Sequence, residues 1–173
     1  MPMCPLCDAD VIEGADHCDS CGNSLTDSHL PAPATAVELA LLTERVAQFQ
    51  DRWPLVIRPS MQVREVLRLL VDNHIGCVVV VEHDQVVGIF TERDALMKIG
   101  SRIKELGDHP VREFMTTNVQ SLPATAKIAF AVHRMSIGGY RHVPIVNKSN
   151  QPTGIFSVRD ILEYLNTLVQ KPL

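Results

Sequence analysis

The sequence predicts an α/β protein made of two successive strand, helix, strand, strand, helix units behind a small four-cysteine module, and three observations point to it. Four of the five cysteines fall in the first 21 residues as two CxxC pairs. The heptapeptide Gly88-Ile89-Phe90-Thr91-Glu92-Arg93-Asp94 returns 66 residues later as Gly154-Ile155-Phe156-Ser157-Val158-Arg159-Asp160. Upstream of each copy, apolar residues at helical spacing give way to a short apolar run of the kind that forms a buried strand.

Cys4-Pro5-Leu6-Cys7 and Cys18-Asp19-Ser20-Cys21-Gly22 are separated by ten residues. Two residues between cysteines let both thiolates of a tight turn face one ion, and two such turns complete a tetrahedral shell of four thiolates. The segment has few other means of folding, because Leu6, Val11, Ile12 and Leu25 are its main large apolar side chains. Metal binding would supply its folding energy. Disulfides are the competing use of these thiols, but short CxxC pairs outside a secreted protein favour metal. Residues 1–26 resemble short zinc ribbons, with Asp8 standing where such ribbons often carry glycine and Gly22 keeping the pattern in the second turn. The resemblance implies Zn2+ on Cys4, Cys7, Cys18 and Cys21. Iron in a rubredoxin-like site uses the same thiolates, yet no aromatic residue surrounds them. His17 adjoins a ligand, but four cysteines already fill the shell. The ribbon carries neither aromatic nor dense basic residues, so it reads as a structural or protein-docking knuckle.

Residues 28–35, Ser-His-Leu-Pro-Ala-Pro-Ala-Thr, lack periodicity and read as an extended linker. From 36 to 50 a helical stripe of Leu39, Leu42, Val46 and Phe49 follows, with Thr35 a candidate cap. A helix of this length is marginal alone, so the stripe must cover the following domain or make a dimer contact.

Each repeat then reads alike. An extended segment, residues 55–57 or 119–122, leads into a helix whose apolar face is Val63, Val66, Leu67 and Leu70 in one copy and Ile128, Ala131, Val132 and Met135 in the other. Two apolar runs joined by a polar turn follow, as in a hairpin, and then a second helix over 92–99 or 158–169. A unit of this size is near the lower limit for an isolated core, so the two should pack together. The expected domains are 1–26, 27–50, 51–110 and 111–173.

Of 173 residues, 46% are hydrophobic and 21% charged, which excludes a disordered chain and allows one ordinary core plus an appendage. A net charge of −4 excludes a global basic field of the kind that draws nucleic acid or anionic membrane. No apolar run approaches the ~20 residues of a membrane span, so a cytoplasmic protein without a membrane partner is expected.

Both repeats end their second apolar run in Gly, two apolar residues, Thr or Ser, two more residues and Asp, and Tyr140-Arg141-His142-Val143-Pro144-Ile145-Val146 opens the second strand pair of the second copy. On these residues, 51–170 resemble a tandem CBS-domain pair, named for the regulatory repeats of cystathionine β-synthase. The resemblance implies a pseudo-symmetric module with two clefts between the repeats, assembly into a dimeric disc, and an adenine nucleotide (AMP, ADP, ATP or S-adenosylmethionine) as regulatory ligand.

In Thr91-x-x-Asp94 and Ser157-x-x-Asp160 a hydroxyl sits where a strand turns into a helix and a carboxylate follows three residues on. That is a capping box in one reading. In the other, the free N–H groups and hydroxyl hold phosphate while the carboxylate accepts a ribose diol, with Arg93 and Arg159 adding charge. Arg141 and His142 precede the strand where the first copy has Gly76 and Cys77, which equips the second copy better for an anion. Arg141 could equally be a surface arginine and His142 a satisfied strand-edge histidine. By the resemblance, Val56, Val119, Val79 and Pro144 would line the adenine pocket. Cys77 reads as a small buried hydrophobe, and Trp53 packs at the repeat's edge or lends a face to a base.

No nucleophile elbow, P-loop or His-Glu-x-x-His is present, and ribbon, helix and repeats leave no room for a catalytic domain. The expected function is therefore a non-catalytic sensor that relays an adenylate signal to a protein partner. A homodimer is expected through the CBS pair, from Ile161, Leu162, Leu165 and Leu168. The alternative is a ligand-free dimerisation scaffold with an interaction ribbon; a nucleic-acid adaptor is disfavoured by the charge.

Overall fold

The computed structural model describes residues 4, 7, 9–12, 15–25, 35–49 and 53–170. The expected linker, apart from Thr35, lies outside them, as do Leu6, Asp8 and Gln50.

Each repeat is a three-stranded sheet with helices. In the first, β1 (Val56–Ile57) pairs in parallel with β2 (Cys77–Glu82), and β2 pairs antiparallel with β3 (Gln85–Thr91). In the second, β4 (Leu122–Pro123), β5 (His142–Val146) and β6 (Pro152–Ser157) repeat that order. A register shift falls at the equivalent step of both hairpins, between Val80 and Val81 and between Ile145 and Val146. Strand β4 begins three residues later than the expected 119–122, so Val119 lies outside it.

The helix after each first strand, α2 (Val63–Asp72) and α5 (Ile128–Gly138), buries the expected stripe. Val63, Val66 and Leu70 are buried in α2, and Ile128, Ala131 and Met135 in α5. The first hairpin turns on His83 and Asp84, both in the left-handed region at φ 50° and 63°, as a two-residue turn requires.

The second helices differ. In the second repeat α6 runs over Val158–Gln170 as expected. In the first, α3 is only Glu92–Asp94 before the backbone widens into a π-turn over Ala95–Ile99, ended by Gly100 at φ 49°. The expected single helix over 92–99 is thus corrected. Gly100 adopts a conformation that a side chain resists, and the chain re-forms as the short helix α4 (Ile103–Leu106).

The expected helix over 36–50 is also shorter. Thr35 caps α1 (Ala36–Thr43) in a reciprocal box with Glu38, but Glu44 is extended and a 3-10 turn over Val46–Phe49 follows. Tertiary hydrogen bonds stop the helix. Val46 N–H donates to Ala126 O at 2.8 Å, and Ile128 N–H donates to Glu44 O at 2.9 Å. The second bond satisfies an orphan donor at the start of α5, which has no side-chain cap. Residues 109–111 serve α2 in the same way, with Val63 N–H to His109 O and Val111 N–H to Met61 O.

The segment before each repeat therefore completes the other one. Val46, Ala40, Leu41 and Phe49 pack in the core of the second repeat, with Phe49 4.9 Å from Phe156 between ring centroids. Leu106, Val111 and Phe114 pack in the core of the first. The helical stripe covers the distant repeat rather than the one that follows it, and Leu39 remains exposed. The two repeats are further joined where Ile89 and Thr116 exchange backbone hydrogen bonds and Asn150 brackets Val86. Among the described residues, no helix is long and apolar enough to cross a membrane.

Candidate functional site

Two sites stand out: the N-terminal thiols and a pair of clefts between the repeats. The four thiols converge. The sulfurs of Cys4, Cys7, Cys18 and Cys21 all lie within 4.8 Å of one another, with 3.7 Å between Cys4 and Cys21 and 3.6 Å between Cys7 and Cys18. A disulfide needs about 2.05 Å, whereas the edge of a tetrahedron with metal–sulfur bonds of about 2.3 Å is about 3.8 Å. The residues fit a metal ion. The second turn is closed by Gly22 N–H donating to Cys18 O at 2.7 Å, with Gly22 at φ 70°. Burial opposes ionisation of Cys18, but backbone N–H groups of Cys21 and Ser20 and the neighbouring thiols lower its pKa to about 7. The cluster supplies a four-cysteine metal site.

The first cleft, about 470 Å³, has the Thr91 to Asp94 step on one side and Gly138 to His142 on the other. The second, about 540 Å³, has Ser157, Arg159 and Asp160 facing Trp53 to Leu55 and His74 to Cys77. In both, the step at the strand end takes the capping geometry. Thr91 N–H and Oγ1 donate to Asp94 Oδ2 at 3.0 and 2.7 Å, and Asp94 N–H donates to Thr91 Oγ1 at 3.2 Å. Ser157 N–H and Oγ donate to Asp160 Oδ2, both at 2.6 Å. The capping reading therefore describes both steps, and both carboxylates are buried at their clefts. Arg93 and Arg159 are exposed, one in each cleft.

Each cleft is built from both repeats, as the resemblance implies, and what is corrected is the grouping of Arg141 with the step of its own copy. Arg141 belongs to the second repeat but lines the cleft of Asp94, not that of Asp160. His142 lines both. Burial depresses the pKa of His142, with Arg141 adding to the effect while Glu92 and Asp160 oppose it, so the ring is neutral near pH 7. Its ring lies against Gly76, where a Cβ would stand 2.9 Å from both Cε1 and Nε2.

The expected pocket positions Val56, Val119, Val79 and Pro144 line neither cleft. Val79 is buried in the ladder opposite Val56, and Val56 borders a separate depression with Arg58 and Ser60. The apolar rim falls instead on Trp53, Pro54 and Leu55, just before β1, since successive side chains of the strand leave on opposite faces, Ile57 into the core and Val56 toward the other depression. Cys77 is buried and its thiol is pushed up to about 12 by burial and by Glu92, so it behaves as the hydrophobe expected. Sequence reasoning missed Lys98 and Thr116. Lys98 was legible only as a cation four residues after Asp94.

A family model described as CBS domain matches residues 52–101 and 111–167. An uncharacterized 17.7 kDa protein of Acidianus ambivalens is 29% identical over 125 residues, covering 72% of this chain and 74% of that protein. The crystal structure of a CBS-domain containing protein from Agrobacterium tumefaciens superposes with a TM-score of 0.65 at 28% identity, covering 70% of this chain and 99% of that one. A CBS domain protein from Pyrobaculum aerophilum, solved complexed with AMP, gives 0.63 at 28% identity, covering 72% of this chain and 99% of that one.

Proposed function

This chain belongs to the CBS-domain family as a tandem pair, and from that premise we propose that it is a non-catalytic regulatory protein that binds an adenine nucleotide between its repeats and passes the signal to a protein partner. One observation carries the reading: a hydroxyl and a buried carboxylate stand three residues apart at a helix start, at a cleft walled by the opposite repeat. There the carboxylate accepts the ribose diol, the helix-start N–H groups with Ser157 or Thr91 and Arg159 or Arg93 hold phosphate, and the apolar rim receives the base. The AMP complex of the Pyrobaculum relative supports this ligand class.

The four thiols hold one structural zinc, which makes the ribbon a rigid docking knuckle. The pair dimerises through exposed apolar side chains of the second helices, Leu96 and Met97 in the first repeat and Leu162 in the second. Ile161 and Leu168 pack inside the second repeat and contribute less to that face than their sequence positions suggest.

Thermal unfolding and calorimetry with AMP, ADP, ATP and S-adenosylmethionine test the proposal. Ligand at 100 times its dissociation constant should stabilise the fold by about 2.7 kcal/mol. Absence of binding for all four at millimolar concentration would remove the sensor reading and leave a ligand-free scaffold.

A further inference from the structure

The two carboxylate steps look alike in sequence, but their surroundings do not. An ionised carboxylate offers about four acceptor positions, and Asp94 receives four donors. Oδ2 takes the N–H and Oγ1 of Thr91. Oδ1 takes Lys98 Nζ at 2.7 Å and Thr116 Oγ1 at 3.2 Å. Lys98 is held in place by a second bond, from Nζ to Phe114 O at 2.6 Å. A ribose diol could reach Asp94 only by displacing an ion pair and a hydroxyl together.

In the second repeat the residue four places after Asp160 is Tyr164, buried in the core against Phe49. Among the described residues, no lysine lines that cleft. The rims differ as well: the second cleft carries Trp53, 76% exposed, beside Pro54 and Leu55. The corresponding side of the first carries Tyr140, whose ring packs over Gly138.

Resting on the adenylate reading, we infer that Lys98 determines specificity by closing the first cleft to nucleosides, so that each chain binds one adenine nucleotide, in the second cleft, with Asp160 on the ribose and Trp53 against the base. The repeat is thus symmetric in its backbone and asymmetric in its ligand chemistry.

Calorimetric titration with AMP, repeated with S-adenosylmethionine, tests this on wild type, Lys98→Met, Asp94→Asn, Asp160→Asn and Trp53→Ala, each first checked for cooperative thermal unfolding. Wild type should bind one ligand per chain. Asp94→Asn should keep that site, Asp160→Asn should lose it, and Trp53→Ala should weaken it about tenfold or more, the size of one lost base–aromatic stack. Lys98→Met, at a side chain 39% exposed, should gain a second, weaker site, which Lys98→Met with Asp94→Asn should lack. Two equal sites in wild type, loss of the single site in Asp94→Asn but not Asp160→Asn, or no second site in Lys98→Met would overturn the inference while leaving the adenylate reading intact. No binding of either ligand to folded wild type would instead remove that reading and this inference with it.

Discussion

Val46 and Val111, 65 residues apart, hold the same post in opposite repeats. Both are completely buried, and each donates its backbone N–H over 2.8 Å to the carbonyl two residues before a helix, Ala126 before α5 and Met61 before α2. The posts are crossed, because Val46 precedes the first repeat and completes the second, while Val111 precedes the second and completes the first. Each repeat needs the leading segment of the other to close its core.

Val46→Ala should therefore destabilise the pair by about 1–3 kcal/mol through lost burial and the cavity left in the second repeat. Denaturant unfolding at unchanged slope measures it. A loss below about 0.3 kcal/mol would mean that the segment is not part of the cooperative core.

Gly76 gives His142 the room it occupies between the clefts. A Cβ there would stand 2.9 Å from two ring atoms, so Gly76→Ala should cost about 1–3 kcal/mol by overpacking. His142→Ala should relieve most of that cost in the double variant. Additive effects in the cycle would show that the two residues do not meet in solution.

His142 also makes stability depend on pH. Burial holds its pKa below the ordinary 6.5 in the fold. Below pH 6.5 the unfolded chain therefore binds a proton that the native chain refuses, and stability falls with falling pH until the native pKa is passed. The contribution is complete above pH 6.5. Melting temperature against pH from 7.5 to 5 should slope less steeply in His142→Asn than in wild type; parallel curves would refute the assignment.

The thiols should divide into two classes. With metal bound, an aromatic disulfide reagent should find no fast thiol, and after chelation four should react quickly. Cys77, buried and with its pKa pushed up to about 12, should react only on unfolding. Elemental analysis should give one zinc per chain, and Cys18→Ser should release it. A fast fifth thiol, or full metal retention in Cys18→Ser, would contradict this division.

The sequence by itself determined the doubled unit, the strand and helix order within it and the convergence of four thiols. These rest on short-range physics: apolar periodicity, turn chemistry and ligand spacing act within a few residues of where they are written. It also located the hydroxyl and carboxylate steps, because a helix start imposes its donors locally. Even the crossed segments left a trace, since Val46-x-x-Phe49 recurs as Val111-x-x-Phe114 at the offset of the strand repeat. Tertiary structure alone decided which repeat each segment completes, why a helix expected to reach residue 50 stops at Thr43, and which side chains share a cleft. Arg141 faces Asp94 and Lys98 saturates it, whereas Tyr164 turns into the core at the matching place. The outcome at each such position depends on packing between residues distant along the chain, and periodicity carries no information about that.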